Sequence, residues 1–210
     1  MCLLIRSQYP ACGNQRRAVD IKGHCCTLDF LSHHYYLTSS LQLPDPYGKA
    51  GGACTSAMLK VLYADKKAPD TDLTFQEVLL KMRDVLKKGG YSQIPQLTSS
   101  RALNIKQKFD IVPDDATGTR RAVIIGINYV GQQGQLSGCH NDAMNMMEYI
   151  KDVHGFQEEN ITVLLDDGEH TSPTRENILE AYKNLTAQSK AGDVAFCHYS
   201  GKLKNVLCYL

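Results

Sequence analysis

The sequence lacks an excess of charge of either sign: 23 Lys and Arg stand against 22 Asp and Glu in 210 residues, a net charge of +1. Such a balance gives no general attraction toward nucleic acid or an anionic membrane. A long apolar run is missing too, since nothing approaches the ~18 residues needed to cross a bilayer. Met1-Cys-Leu-Leu-Ile5 is too short for a secretory core, and Arg6 ends it. The terminal Cys208-Tyr-Leu210 is no prenylation box, because its Cys is third from the end. These absences set the expectation of a cytoplasmic chain with no membrane and no nucleic-acid partner. Asn160-Ile-Thr162 and Asn184-Leu-Thr186 fit the glycosylation pattern, which has no bearing without secretion.

Paired cysteine spacing is also lacking. Eight Cys without a secretory leader read as reduced thiols rather than a disulfide framework. His24-Cys25-Cys26 followed by His33-His34 offers zinc-type donors. Their spacing matches no paired-ligand pattern, so no metal site is expected.

What is present divides unevenly along the chain. Residues 1–48 form a poorly defined segment: Arg16-Arg-Ala-Val19 is weakly strand-like and Leu41-Gln-Leu-Pro-Asp-Pro-Tyr-Gly48 reads as turn and loop. From residue 49 the signal sharpens. Ala50-Gly-Gly-Ala-Cys-Thr-Ser-Ala-Met-Leu-Lys60 runs from a flexible turn into a helix, with Thr55 or Ser56 near its start. Thr74 and Glu77 have capping-box spacing. Phe75, Val78, Leu79, Met82, Val85 and Leu86 then fall on one helical face, and Gly89-Gly90 stops the helix. Tyr91 to Ser100 is extended and turn-rich.

From residue 120 apolar runs alternate with helical periodicity, as in parallel strands joined by crossover helices. Ala122-Val-Ile-Ile125 is apolar on both faces, as a buried parallel strand should be. Asn141 or Asp142 is the expected cap of the next helix, whose inward stripe is Ala143, Met146, Met147, Ile150 and Val153. Residues 161–165 give a second strand and Val194 to His198 a third. Between them Ser172 is the expected cap before Pro173, and Ile178, Leu179, Tyr182 and Leu185 are expected to face the sheet. In such folds ligands sit at the carboxyl ends of the strands.

These residues carry a family resemblance. Arg121-Ala-Val-Ile-Ile-Gly-Ile-Asn-Tyr129, Leu136-Ser-Gly-Cys-His-Asn-Asp-Ala143, Ile161-Thr-Val-Leu-Leu-Asp-Asp167, Pro173-Thr-Arg-Glu-Asn-Ile178 and His198-Tyr-Ser-Gly201 resemble the large-subunit region of metacaspases in order and spacing. Residues 49–113 resemble the closing part of the metacaspase small subunit. That part here comes first, as in the rearranged (type III) members. Residues 114–119 read as the linker, 120–201 as a partial large-subunit region and 202–210 as a tail without family likeness.

The resemblance implies an α/β fold, a caspase-like parallel sheet flanked by helices and here incomplete. It implies a cysteine endopeptidase that cuts peptide or protein substrates after Arg or Lys. The family's substrate pocket falls on Cys139, Asp142 and Ser200, with Asp142 pairing the basic side chain; a helix cap is the other reading of Asp142. Lys202 stands where the family has its catalytic His, and lysine is a cation at neutral pH unless strongly desolvated. Cys26, in Gly23-His-Cys-Cys-Thr-Leu28, is a weak nucleophile candidate that does not fit the family's motif. His198 is expected to pack or to make a supporting hydrogen bond.

No cofactor is expected, because the family's calcium-binding acidic cluster lies beyond the absent His and does not fall on Asp166 or Asp167. The resulting expectation is a metacaspase-like endopeptidase, truncated and inactive as written, with a tail of the kind a retained intron would leave. Two alternatives stay open. One is a catalytically dead binding or regulatory protein that keeps the basic-residue pocket. The other is an α/β interaction module that self-associates through an unpaired sheet edge.

Overall fold

In the computed structural model, residues 51–64, 72–99 and 102–202 are described in full, together with the backbone of three strands before them and of Ala50. The expectations on His24, Cys25, Cys26, His34, Arg16 to Val19 and the tail 203–210 lie outside the described residues. Of His33 only the backbone, in a strand, is described.

The centre is a parallel sheet. Strand β6 (Arg120–Gly126) pairs in parallel with β7 (Ile161–Leu165) on one side and with β8 (Val194–Ser200) on the other. Strand β1 (Cys2–Ser7) joins β8 antiparallel, with Leu3 opposite His198. The order is therefore β1-β8-β6-β7. Strand β1 thus lies along the outer side of β8, and β1 and β7 are the two edge strands of this sheet. Two short antiparallel ladders stand apart from the sheet: β2 (Leu28–His33) with β5 (Ile94–Ser99), and β3 (Gln42–Pro44) with β4 (Ala50–Gly52).

Alternation along the strands sorts the core onto two faces. Ala122, Ile124, Val194, Phe196 and Leu165 point to one side. There they meet helices α1 (Ala53–Leu62), α2 (Phe75–Lys88) and α3 (Cys139–His154) through Met58, Met82, Leu86, Met146 and Ile150. Val123, Ile125, Leu164, Ala195 and Cys197 point to the other side, under Ala181 and Leu185 of α4 (Arg175–Gln188). A strand covered on both faces has no polar side to offer, which is why β6 reads as an unbroken apolar run.

Local signals set several of the helix ends. Thr74 caps α2 with the full reciprocal box: its hydroxyl accepts from Glu77 N, and the Glu77 carboxylate accepts from Thr74 N at 2.8 Å. Gly89 ends that helix as expected. Two starts differ from the sequence reading. Helix α3 begins at Cys139 after Gly138, so neither Asn141 nor Asp142 is its cap. The cap comes from a distance instead, since Asn128 Oδ1 accepts from Cys139 N at 2.9 Å. Helix α4 is capped by Thr174, whose hydroxyl accepts from Asn177 N. Ser172 lies two residues too early and supplies its carbonyl to Asn177 Nδ2 at 2.8 Å. Leu179 is 39 % exposed, and Ala181 takes the inward place expected of it.

The entry to β6 and the entry to β8 are tied by one buried carboxylate. Asp193 meets Arg121 Nη1 at 2.6 Å and accepts from the amides of Thr119 (2.7 Å) and Lys190 (2.9 Å). Burial opposes its charge, but the two amides and Arg121 outweigh burial and hold the carboxyl below its usual range. We predict that Asp193→Ala, which leaves Arg121 nearly buried and unpaired, costs roughly 3–5 kcal/mol in urea unfolding at pH 7. A group with a depressed folded pKa stabilises above its unfolded pKa and ceases to as pH falls, so the gap between variant and wild type narrows below about pH 4.

Candidate functional site

The parallel strands define where a site can form. Helix α3 leaves β6 on one face of the sheet, and α4 leads from β7 to β8 on the opposite face. The two connections diverge between the carboxyl ends of β6 and β8, the crevice where ligands collect in open α/β sheets. Asp142, on the first turns of α3, and Ser200, the last residue of β8, meet there.

Their contact is direct. Ser200 Oγ donates to Asp142 Oδ2 at 2.7 Å, and Gly52 N donates to Asp142 Oδ1 at 2.8 Å. The Thr55 hydroxyl is a further hydrogen-bond partner. Asp142 is only 2 % exposed. Burial pushes its carboxyl up to about 6, against the opposing pull of Ser200, Gly52 and Thr55. Cys139 lies one helical turn before it, also buried and also within reach of the Ser200 hydroxyl. Burial, with the Asp142 charge adding to it, pushes the Cys139 thiol up to about 11. The structure therefore brings Cys139, Asp142 and Ser200 into one cluster.

A second carboxylate fixes the loop around the cluster. Asp166, just past β7, accepts from Asn128 N at 2.8 Å and Val130 N at 3.2 Å, and its Oδ1 lies 2.5 Å from His140 Nε2. Burial alone would raise its pKa; these partners and the Tyr129 amide hold it below the ordinary carboxylate range. Asn128, so anchored, can cap α3 and thereby set the helix turn that carries Asp142.

The other predicted residues stand elsewhere. Lys202 sits over the Tyr129 ring, its Nζ 4.5 Å from the centroid and 3.5 Å from Gln133 O, while its amide donates to Tyr129 Oη at 3.1 Å. It braces the loop after β6 rather than joining the Asp142 cluster. Tyr129 has φ of +57°, the left-handed region, as the one non-glycine residue there among those described. His198 is fully buried, and among the described residues neither ring nitrogen has a hydrogen-bond partner. Burial drives its pKa down to about 3, so it packs as a neutral ring. Cys26 lies outside the described residues.

Asp166 and Asp167, the two acidic residues after β7, are both bonded within the fold. The Asp166 oxygens are taken as above. Asp167 accepts from the amides of Glu169 and His170 and pairs with His170 Nδ1 at 2.7 Å. Among the described residues no group of three or more His, Cys, Asp or Glu side chains is placed to hold a metal ion.

Four participants escaped the sequence reading: Gly52, Thr55, Asn128 and Asp166. The last two had a signal, because a short polar residue straight after a buried strand is at the ligand end of the sheet. Gly52 and Thr55 had none, since their role depends on a contact 90 residues away in the chain.

A family model described as metacaspase, peptidase C14 domain, matches residues 120–207. Metacaspase III c of Phaeodactylum tricornutum is 60% identical over 164 residues, which is 78% of this chain and 49% of that protein. Metacaspase-1 of Sclerotinia sclerotiorum is 39% identical over 109 residues, 51% of this chain and 25% of the relative. Metacaspase-7 of Arabidopsis thaliana is 49% identical over 83 residues, 39% of this chain and 21% of the relative. The chain thus spans no more than about half the length of these curated relatives.

The raised pKa of Asp142 gives a stability prediction. A folded pKa of about 6 above an unfolded value near 3.8 means that its contribution is complete below pH ~4 and is lost as pH rises through 6. Asp142→Asn removes that loss. We predict a variant more stable than wild type at pH 8, by up to about 3 kcal/mol, with the difference gone at pH 4. Paired urea titrations at the two pH values check it, and an equal offset at both would sink it.

Proposed function

Through residues 120–207 this chain belongs to the metacaspases, a caspase-like cysteine peptidase family, and from that premise we propose that its Asp142 site receives an arginine or lysine side chain of a peptide or protein. The observation that carries this reading is the buried carboxylate at the divergence of β6 and β8. A buried carboxylate without a resident cation is costly, and a site that keeps one has a use for its charge. Two carboxylate oxygens offer about four acceptor positions. Ser200, Gly52 and Thr55 fill three. The position left suits a substrate guanidinium or ammonium, and the guanidinium is favoured where a planar fork can be met. Cys139, a small buried wall with an un-ionised thiol, lines the site without competing for the cation.

Cutting a peptide requires more than holding it. A thiolate must be formed beside an imidazole, and donors must await the oxyanion. The thiols of Cys54 and Cys139 are both pushed up to about 11 by burial, opposite to the direction a nucleophile needs. Lys202, at the place of the family's His, carries no imidazole and is turned to Tyr129. The 210-residue chain is therefore proposed to recognise basic residues without cleaving after them.

The test uses the full chain and three matched peptides carrying a single internal Arg, Lys or Asp with residues on both sides of it, read by calorimetry and then by mass spectrometry. We predict binding of the first two, none of the third, and intact peptide after incubation. Asp142→Asn should weaken Arg-peptide binding by roughly 10- to 100-fold. Equal affinity for all three peptides would remove the recognition reading. Cleavage after Arg by the chain would remove the claim that it only binds.

A further inference from the structure

The donors around Asp142 come from two distant parts of the chain. Ser200 belongs to the same α/β unit as Asp142, whereas Gly52 and Thr55 belong to the region before it. Gly52 is the N-cap of the ten-residue helix α1 and makes no side-chain cap; its amide goes to Asp142 instead. Thr55, 1 % exposed on the first turn of α1, adds its hydroxyl. The amino end of α1 is thereby aimed at the carboxylate, with backbone hydrogens and the positive end of the helix dipole toward it.

The fit is close enough to be specific. A Cβ at position 52 would lie 2.4 Å from Asp142 Oδ2, and one at position 51 would lie 2.8 Å from Ser56 Oγ. A Cβ at Gly138, the residue before α3, would come 3.0 Å from the Gly51 Cα. Three glycines therefore let β4 and the start of α3 touch backbone to backbone.

We propose that Gly52 and Thr55 are positioning residues for basic-residue recognition, orienting the Asp142 carboxylate so that the site is complete only when α1 is docked against α3. The proposal rests on the reading of Asp142 as the cation acceptor. Thr55 acts through Asp142 and need not touch the ligand. Among the described residues, Cys54 on α1 and Cys139 on α3 interact electrostatically with Asp142, and His198 lies on the same face of β8 as Ser200. Cys54 and Cys139 stay un-ionised and His198 stays neutral near pH 7, so none of them offsets the loss of a donor.

Thr55→Val removes the hydroxyl at constant shape, and Thr55→Ser restores it. The carboxyl carbon of Asp142 is followed by NMR across pH 4–9, with no ligand, in the wild-type chain and both variants. The wild-type midpoint is expected near 6. Thr55→Val should raise it by about one pH unit, because a hydrogen bond to the ionised form is lost. Benzamidine binding at pH 6.5 should then weaken by about threefold in Thr55→Val and converge on wild type by pH 9. Thr55→Ser should match wild type in both measurements. A midpoint unmoved in Thr55→Val overturns the proposal. If the buried valine prevents folding, Thr55→Ala takes its place: a raised midpoint supports the proposal and an unmoved one overturns it. A wild-type chain in which Asp142 titrates but benzamidine does not bind would sink the cation-site reading, while the midpoint shift still decides the role of Thr55.

Discussion

A carboxylate taken out of water has to be surrounded by donors, and much of this molecule's arrangement follows from where those donors come from. Asp142 takes one from the end of β8, one from the entry to α1 and one from within α1. To deliver them, β8 must lie beside β6, α3 must start within a few residues of the β6 loop, and α1 must approach the first turns of α3 end-on. Each condition is met by an apolar arrangement that would be stable for its own reasons. The carboxylate selects the relative placement; the buried side chains supply most of the free energy that holds it.

The supports behind this arrangement form a chain of backbone contacts. Asp166 holds the Asn128 and Val130 amides, Asn128 caps Cys139, and Cys139 begins the helix that carries Asp142. Tyr129, held in the left-handed region between these anchored residues, presents its ring to Lys202. The loop after β6 is therefore fixed at both shoulders, and a residue that would ordinarily resist that backbone conformation is kept there by its neighbours. Lys202 becomes part of this brace.

How much of this the sequence disclosed depends on the range of the interaction. The three parallel strands, the stripe of α2 and the Thr74–Glu77 box were legible because period and capping are local properties. Gly51 and Gly52 read only as a flexible turn, since nothing near them in sequence explains two glycines that admit no Cβ against Asp142 and Ser56. The start of α3 was misplaced for the same reason: Asn141 and Asp142 look like caps, but the actual cap comes from Asn128 across a loop. Asp142, spared that duty, is free to turn inward. Its grouping with Cys139 and Ser200 came from the family resemblance, because the sheet register that joins them, Gly126 beside Ser200, is a non-local fact.

The order of the chain adds a consequence. The contact between Gly52 and Asp142 spans 90 residues, so closing it gives up conformational entropy that grows slowly with loop length. That loss is offset mainly by apolar burial between α1, α2 and α3, where Met58, Met82, Leu86 and Met146 are fully buried. Tyr63 supports the same junction by stacking edge-on against Tyr149 and bonding Asp152. His154 supports it from the far end of α3, between Tyr149 and Asp110. A site whose donors lie on both sides of this junction cannot be built by either part alone. Weakening the junction at Tyr63 or His154 would therefore loosen the carboxylate's surroundings without removing any of the donors to Asp142.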